Sequence, residues 1–441
     1  MREGSLEAPI RHPLDWQNED FYNEEKLDAE LRRQFDVCHG CRRCFNLCDS
    51  FPKLFDLIDQ SPSGELDQVN SDGFLAVADA CTLCDMCFMT KCPYVPPHEF
   101  NIDFPHLMLR YKAIQHHKGE TSFVASQLTE TDRNGKLAAM MSKVVNWATD
   151  TSNQFTRPVI EKVMHIDRRA AIPKFHSKTC VKLVGEQPVE VNRQAPAYGR
   201  KAAVYVTCFA NYNNPDIGLA ARNVLAKNGV ETQFVYPECC GMPQLENGKL
   251  DRVAQKAESV SKALQPWIEQ GYDIIALIPS CALMLKFEWP LLQPNNSAVK
   301  ALGQATFDLS EYLVDIAKKE GLAQGLQPIS GGVTVHIACH ARAQNMGQKA
   351  ADLLRLVPET TVEVVERCSG HGGSWGMMLE NFEVAMKVGR PAARQIKDKA
   401  TQYVASECPL AGAHLAQELE AMEVEINVSH PIELFAKAYG F

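Results

Sequence analysis

The sequence predicts an α+β multidomain chain, with a helical N-terminal part built around two cysteine runs and a duplicated α/β unit behind it. Three observations carry this. Eight of the sixteen cysteines fall in two tight runs, Cys38-x-x-Cys41-x-x-Cys44-x-x-x-Cys48 and Cys81-x-x-Cys84-x-x-Cys87-x-x-x-x-Cys92-Pro93. Between the runs there is neither an Asn-Gly hairpin signal nor strict apolar alternation, so helices fit better than strands. From residue 200 onward, short apolar strand segments alternate with helix signals, and the same order occurs twice.

Taken in order, Asn23 to Phe35 places Leu27, Leu31 and Phe35 four residues apart, one face of a helix leading into the first run. Three thiolates at two-residue intervals wrap three corners of one iron–sulfur cube. In two-cluster ferredoxins the fourth cysteine of each run serves the other run's cluster. Cys38, Cys41, Cys44 and Cys92 are therefore expected to hold one [4Fe–4S] cluster, and Cys81, Cys84, Cys87 and Cys48 the other. Zinc usually takes widely separated C-x-x-C pairs and fits this spacing poorly. Residues 51–80 carry Phe55, Leu57, Ile58, the turn at Ser61 to Gly64, then Phe74, Leu75 and Val77. Two short helices are expected there, giving a helical two-cluster ferredoxin domain over 38–115 behind an N-terminal helical extension over 1–37.

Residues 116–199 read as a helical connector. The stripe Leu137, Met140, Met141, Val144, Val145 and Ala148 is expected to face a core, with a membrane or quinone surface as the sharper reading. Glu186 to Tyr198 reads as a linker, Cys180 as a packed or surface thiol, and His116-His117 as a solvated loop. Pro93, Pro96 and Pro97 stiffen the wall over a cluster, where His98 could tune its potential. Trp16, Trp147 and Trp375 are expected in the core.

The first α/β repeat spans 200–325. Its strands are Ala202 to Val206, Thr232 to Tyr236 and Asp273 to Ile278; Asn214-Pro215 opens a helix that Gly229 closes. The second spans 326–441, with strands Thr334 to Ala338, Val362 to Val365 and Tyr403 to Ser406 and helices from about 345 to 356 and 380 to 397. Each strand ends in cysteine: Cys208, Cys239-Cys240 and Cys281 in the first copy, Cys339, Cys368 and Cys408 in the second. Sites in α/β sheets gather at strand C-termini, so these seven are expected metal ligands, for a further iron–sulfur cluster or zinc. Cys239 aligns with Cys368, Cys240 with Ser369 and Gly241 with Gly370. The second copy is left with three cysteines, and His340 or His371 could complete a Cys3His site. Alternatively His340, His371, Arg342 and Arg367 form a polar pocket that handles protons, as candidate catalytic residues, or the glycine turns are purely structural.

The 441 residues carry a net charge of −9, which argues against nucleic acid and polybasic membrane binding. No apolar run reaches the roughly 18 residues of a membrane span. Ile274 to Leu285 comes closest and is interrupted by Pro279, Ser280 and Cys281. The opening MREGSLEAPIRHPLDW holds no apolar signal segment, so a cytoplasmic chain, free or peripheral on the inner face of the membrane, is expected. Cysteines in such a chain mean metal or redox chemistry rather than disulfides. No Walker loop is present, and the run Gly370-x-Gly372-Gly373-x-x-Gly376 lacks dinucleotide spacing.

The segments CHGCRRCFNLC, CTLCDMCFMTKCP, TCFANY, ECCGMP, IPSC, ACHARAQN, RCSGHGGSWG and ECPLAG together resemble the heterodisulfide-reductase-like, CCG-domain iron–sulfur family. It is similar in particular to the branch that serves anaerobic glycerol-3-phosphate dehydrogenases. The resemblance covers nearly everything from residue 38 and implies metal-binding repeats and electron transfer from a flavin-containing dehydrogenase subunit, or another redox protein, towards membrane quinone. In heterodisulfide reductase such repeats carry a cluster with five cysteine ligands. Here Met284 stands where a fifth cysteine would follow Cys281, and Ser369 replaces the second cysteine of the pair in the second copy. An electron-transfer subunit is thus the first expectation. A catalytic thiol–disulfide reductase and a redox-sensing or zinc-binding interaction protein are the alternatives.

Overall fold

The computed structural model describes residues 7–441, so the first six residues of the opening expected to hold no signal segment, Met1 to Leu6, lie outside the described residues. The chain divides into two compact units. One takes the residues up to Thr129 with Gly241–Ala254 and Leu291–Pro294; the other takes Glu130–Cys240, Gln255–Pro290 and Asn295–Phe441.

The first unit is helical among its described residues. Its leading helix, Glu24–Cys41, is capped by Asn23, whose side chain accepts from the Lys26 N–H. It runs six residues beyond the expected end at Phe35, so Cys38 and Cys41 sit on its last turn. It stops where Arg42 turns left-handed at φ 50°. Leu27, Leu31 and Phe35 are buried. The two short helices expected between the runs are Ser50–Asp59 and Phe74–Asp79. The core is largely aromatic: Phe35 meets Phe74 edge-on at 5.1 Å, and Phe51 stacks on Phe104 at 4.6 Å. His116 and His117 are not in a loop. They end the helix Phe104–His117, and His117 packs on Tyr22 at 4.8 Å. Trp16 donates from its indole N–H to the Leu292 carbonyl at 2.8 Å.

The second unit contains two repeats, each with a four-stranded parallel sheet. The first is ordered β2-β1-β3-β4, with β1 Lys201–Tyr205, β2 Glu231–Val235, β3 Asp273–Ala276 and β4 Thr306–Asp308. The second is ordered β6-β5-β7-β8, with β5 Val333–His336, β6 Val362–Val365, β7 Tyr403–Ser406 and β8 Val428–Ser429. The sequence expectation had three strands per copy and missed β4 and β8. At three and two residues they are too short to show a period. Within the second copy the expected helix from about 345 starts at Lys349. The two repeats share one continuous apolar core, from Val204 and Ile275 through Leu313 to Val333, Val335 and Phe435. Cys180 belongs to that core. Burial pushes its thiol up to about 12, and a Cβ at Gly218 would lie 2.1 Å from its sulfur.

The stripe from Leu137 to Ala148 is not a core face. The segment forms two helices, Thr131–Met140 and Ser142–Thr149, broken at Met141 (φ −115°, ψ 27°). Leu137, Met140, Met141, Val144 and Trp147 all point outward. The helix is amphipathic as expected, but its buried side is the small one, Gly135, Ala138 and Ala139. Trp147 is therefore not a core residue, whereas Trp289, which no sequence signal marks, is fully buried.

Candidate metal centres

In the first unit, Cys38, Cys41, Cys44 and Cys92 line a single cavity, with Pro93 and Tyr94 on its wall and Phe51, Phe55 and Ile102 behind. Cys92 comes from the second run, so the chain crosses between runs at this cavity. Burial raises the Cys44 thiol to about 12, and the neighbouring Cys92 and Cys41 sulfurs add to the rise. Cys92 is raised to about 11, again first by burial. Thiols so placed resist ionising alone and would lose their protons to solvent as a shared cation binds, as metal binding requires. The donor set and the hollow between the sulfurs therefore fit an iron–sulfur group. His98 stacks edge-on against Tyr94 at 5.2 Å, so its route to this cavity runs through the Tyr94 ring.

The remaining four cysteines of the runs also gather. Cys87 is buried, and the sulfurs that oppose its ionisation are those of Cys84, Cys81, Cys44 and Cys48. The backbone of this run is bent sharply, with Leu83 at φ 49° and Asp85 at φ 61°. Arg11 holds the bend by donating to both Asp85 carboxylate oxygens, at 2.7 and 2.9 Å, and to Asp103 at 2.9 Å, while lying over the Phe88 ring. Lys112 donates to the Cys81 carbonyl at 2.5 Å. Arg11 and Lys112 escaped the sequence reading because neither lies near a cysteine in the chain.

In the second unit, Cys208 opens a one-turn helix after β1, Cys239 and Cys240 follow β2, and Cys281 lies in Pro279–Leu283 after β3. The strand ends bring all four together. Cys239 Sγ lies 3.7 Å from Cys208 Sγ, and Cys240 Sγ lies 3.2 Å from Cys281 Sγ. Thr207, just before Cys208, has φ 69° and ψ 155°, a strained conformation for a β-branched residue. Asp132 accepts from the Cys239 N–H at 3.0 Å, from the Tyr236 hydroxyl at 2.5 Å and from Lys256 at 3.1 Å. The Trp289 indole N–H donates to the Cys240 carbonyl at 3.1 Å. The cysteine pair is thus clamped from two sides. Met284 is wholly buried at the start of a π-helical turn, Met284–Glu288.

In the second repeat, Cys339 and Cys408 mark the starts of the helices Cys339–Ala343 and Pro409–Glu420, and Cys368 sits in the exposed loop after β6. The Gly370 N–H donates to Cys368 Sγ at 3.3 Å. Of the four polar candidates, His340 and His371 come near each other, and Arg342 lies close to Cys368. Arg367 is exposed, but its carbonyl lies 2.9 Å from His336 Nε2. His414, unremarked in the sequence, packs 6.4 Å from His371, and the two line one cavity with Phe382 and Leu410. Burial, then His414 and His340, lowers His371 to about 3, so its imidazole is neutral. The two copies meet at their cysteine loops: Gln344 donates to the Pro279 carbonyl at 3.3 Å. Among the described residues, no three His, Cys, Asp or Glu side chains close around a single ion-sized point.

The family model for the CCG cysteine-rich domain matches residues 202–286 and again 333–416, the two repeats just described. The chain carries two copies of the CCG cysteine-rich domain. It is 27% identical over 318 residues to an anaerobic glycerol-3-phosphate dehydrogenase subunit of Escherichia coli K12, covering 70% of this chain and 76% of that one. It is also 27% identical over 316 residues to a fumarate reductase (CoM/CoB) subunit of Methanothermobacter marburgensis, covering 69% and 60%. Lactate utilization protein A of Bacillus pumilus matches at 25% over 244 residues, 53% of this chain and 98% of that protein. No described helix of this CCG-domain protein is long and apolar enough to cross a membrane.

Proposed function

We propose that this CCG-domain protein is the iron–sulfur electron-transfer subunit of an oxidoreductase complex, passing single electrons from a flavin dehydrogenase partner to quinone or another acceptor. The observation that carries the reading is the crossing of Cys92 to the cavity of Cys38, Cys41 and Cys44. Two [4Fe–4S] clusters, held by Cys38, Cys41, Cys44 and Cys92 and by Cys81, Cys84, Cys87 and Cys48, would supply one-electron transfer. On this reading residues 38–115 are a helical ferredoxin domain. Cys208, Cys239, Cys240 and Cys281 would hold a further iron–sulfur cluster or zinc. Cys339, Cys368 and Cys408 would hold another centre, with one of the clustered histidines.

The names of the first two relatives support this reading, since each is a component of a dehydrogenase or reductase assembly. A cytoplasmic position, peripheral on the inner face of the membrane, fits it. The test is anaerobic purification with iron and sulfide analysis. The intact chain should carry at least about eight irons, and Cys92→Ser should lose about four while keeping its fold by circular dichroism. An intact chain that stays well below eight after reconstitution rejects the reading.

The adjacent sulfurs of Cys240 and Cys281 favour a second reading, thiol–disulfide reduction at the first repeat. Turnover of small disulfides by the reduced chain, abolished in Cys240→Ser, would establish it in place of the relay.

A further inference from the structure

The two cysteine sites of the first unit differ in depth. Cys81 and Cys87 are buried, whereas Cys38, Cys41, Cys44 and Cys92 are all partly exposed. The cavity those four line is thus the shallower site.

Its mouth is built from both runs. The left-handed turn at Arg42 ends the leading helix. The next turn, in which the Phe45 N–H donates to the Arg42 carbonyl at 3.2 Å, exposes Arg43 and Phe45 while Cys44 lines the cavity. Phe45 is 45% exposed and stacks at 6.2 Å on Phe55, a residue of the cavity wall. From the second run, the π-helical turn Cys87–Lys91 buries Cys87 and Phe88 and leaves Lys91 exposed. Burial dominates at the Cys44 thiol, and Lys91 is the cation that counters it. On the wall formed by Tyr94, Phe100 packs at 5.4 Å and is 38% exposed. Arg33 fixes that turn by donating to the Phe100 carbonyl at 2.7 Å. Single exposed aromatics are ordinary. Two of them packed on the walls of one cysteine cavity, beside two exposed cations, make a compact contact surface.

Charge selects what meets this surface. Residues 38–115 carry ten Asp and Glu against six Lys and Arg, so a cationic rim runs against the trend of its own segment. The acids around it are engaged: Asp59 and Asp56 face Arg42, Asp49 pairs with Lys53, and Glu30 pairs with Arg33. Asp36 lies on the opposite side of the leading helix from Val37, Cys38 and Cys41, by helical spacing. Glu99, exposed in the turn before Phe100, still leaves Arg43 and Lys91 in excess. A positive rim around apolar contacts attracts a partner that is negative around its own redox group, and electron-transfer contacts of this kind are small.

We propose that the mouth of this cavity docks an acidic one-electron redox protein, steered by Arg43 and Lys91 and seated on Phe45 and Phe100. The inference rests on the relay reading and deepens it. The electron partner is acidic at its contact face, and it meets the Cys38, Cys41, Cys44 and Cys92 site rather than the deeper one.

The probe is flavodoxin, an acidic single-electron flavoprotein, titrated against the full chain by fluorescence anisotropy. Both proteins are net negative, so binding that salt weakens requires a local positive face, whereas repulsion alone would ease as salt rises. Affinity should fall at least about tenfold between roughly 20 and 200 mM salt. Carbodiimide, which joins a lysine amine to a carboxylate in contact with it, should couple Lys91 to flavodoxin, as read by mass spectrometry. Arg43→Glu with Lys91→Glu should weaken binding at least about tenfold and slow single-electron transfer from flavodoxin hydroquinone as much. Phe45→Ser should weaken binding and leave its salt dependence unchanged. Both charged positions adjoin proposed ligands, so iron is measured on every variant; if one loses iron, the cross-link on the unaltered chain decides. No binding at low salt, binding that salt strengthens, or cross-links confined to other lysines overturns the docking face. A chain that binds at Lys91 without iron refutes the relay alone, and one that carries iron without binding refutes the docking face alone.

Discussion

At the scale of single residues, the candidate centres depend on side chains remote in sequence from any cysteine. Asp132 is the clearest. It joins the Cys239 N–H, the Tyr236 hydroxyl and Lys256. Each is a charge-assisted bond, and Lys256 is left with only Glu238 if the carboxylate is lost. Asp132→Asn should therefore cost about 2–3 kcal/mol, read as a shift in the urea midpoint, and should reduce any metal retained by the first repeat while leaving in place the iron proposed for the N-terminal cysteines. An unchanged midpoint would show that the clamp does not contribute. The spacing of both cysteine runs was legible because the cluster ligation proposed for them imposes a short, fixed interval. Asp132, Arg11 and Trp289 were not legible because nothing local distinguishes a clamp from a surface or core residue.

At the scale of elements, the glycine run after Cys368 has a packing role. Gly370 sits at φ 78°, and a Cβ there would lie 2.1 Å from the Ala385 carbonyl oxygen, on the helix Phe382–Lys399. The spacing alone excluded a dinucleotide loop. What the loop does instead, closing against a helix, needs the helix in place. Gly370→Ala meets both a left-handed backbone and a backbone clash, so it should destabilise the chain by more than about 1 kcal/mol. Thermal melting measures this, and a wild-type Tm would refute the tight approach. The helix over Thr131–Met140 gives the converse lesson. Its period was legible in the sequence, but its buried face was not, because small residues pack inward here and large ones face out.

At the scale of the whole molecule, buried neutral histidines link stability to pH. Burial lowers His336 to about 4 and His430 to about 3. His336 joins the Ser406 hydroxyl and the Arg367 carbonyl, tying β5 to the end of β7 and to the loop beyond β6. Unfolded histidine takes up a proton near pH 6.5, while these two stay neutral in the fold to far lower pH. Their contribution is thus whole above about pH 6.5 and is lost progressively as the pH falls from there towards 4 and 3. The urea midpoint should fall between about pH 7 and 4.5, and a His336→Gln, His430→Gln chain should start lower with a flatter slope. An unaltered slope would place the acid sensitivity elsewhere.

By itself the sequence determined the cysteine spacing, the duplicated strand-and-helix order and hence the α/β repeats, because ligand intervals and apolar periods are local properties. Only the tertiary structure decided which residues clamp the Cys239-Cys240 turn and which face of the Thr131–Met140 helix meets solvent. Those are set by what packs against what across long stretches of chain, and no local pattern encodes it.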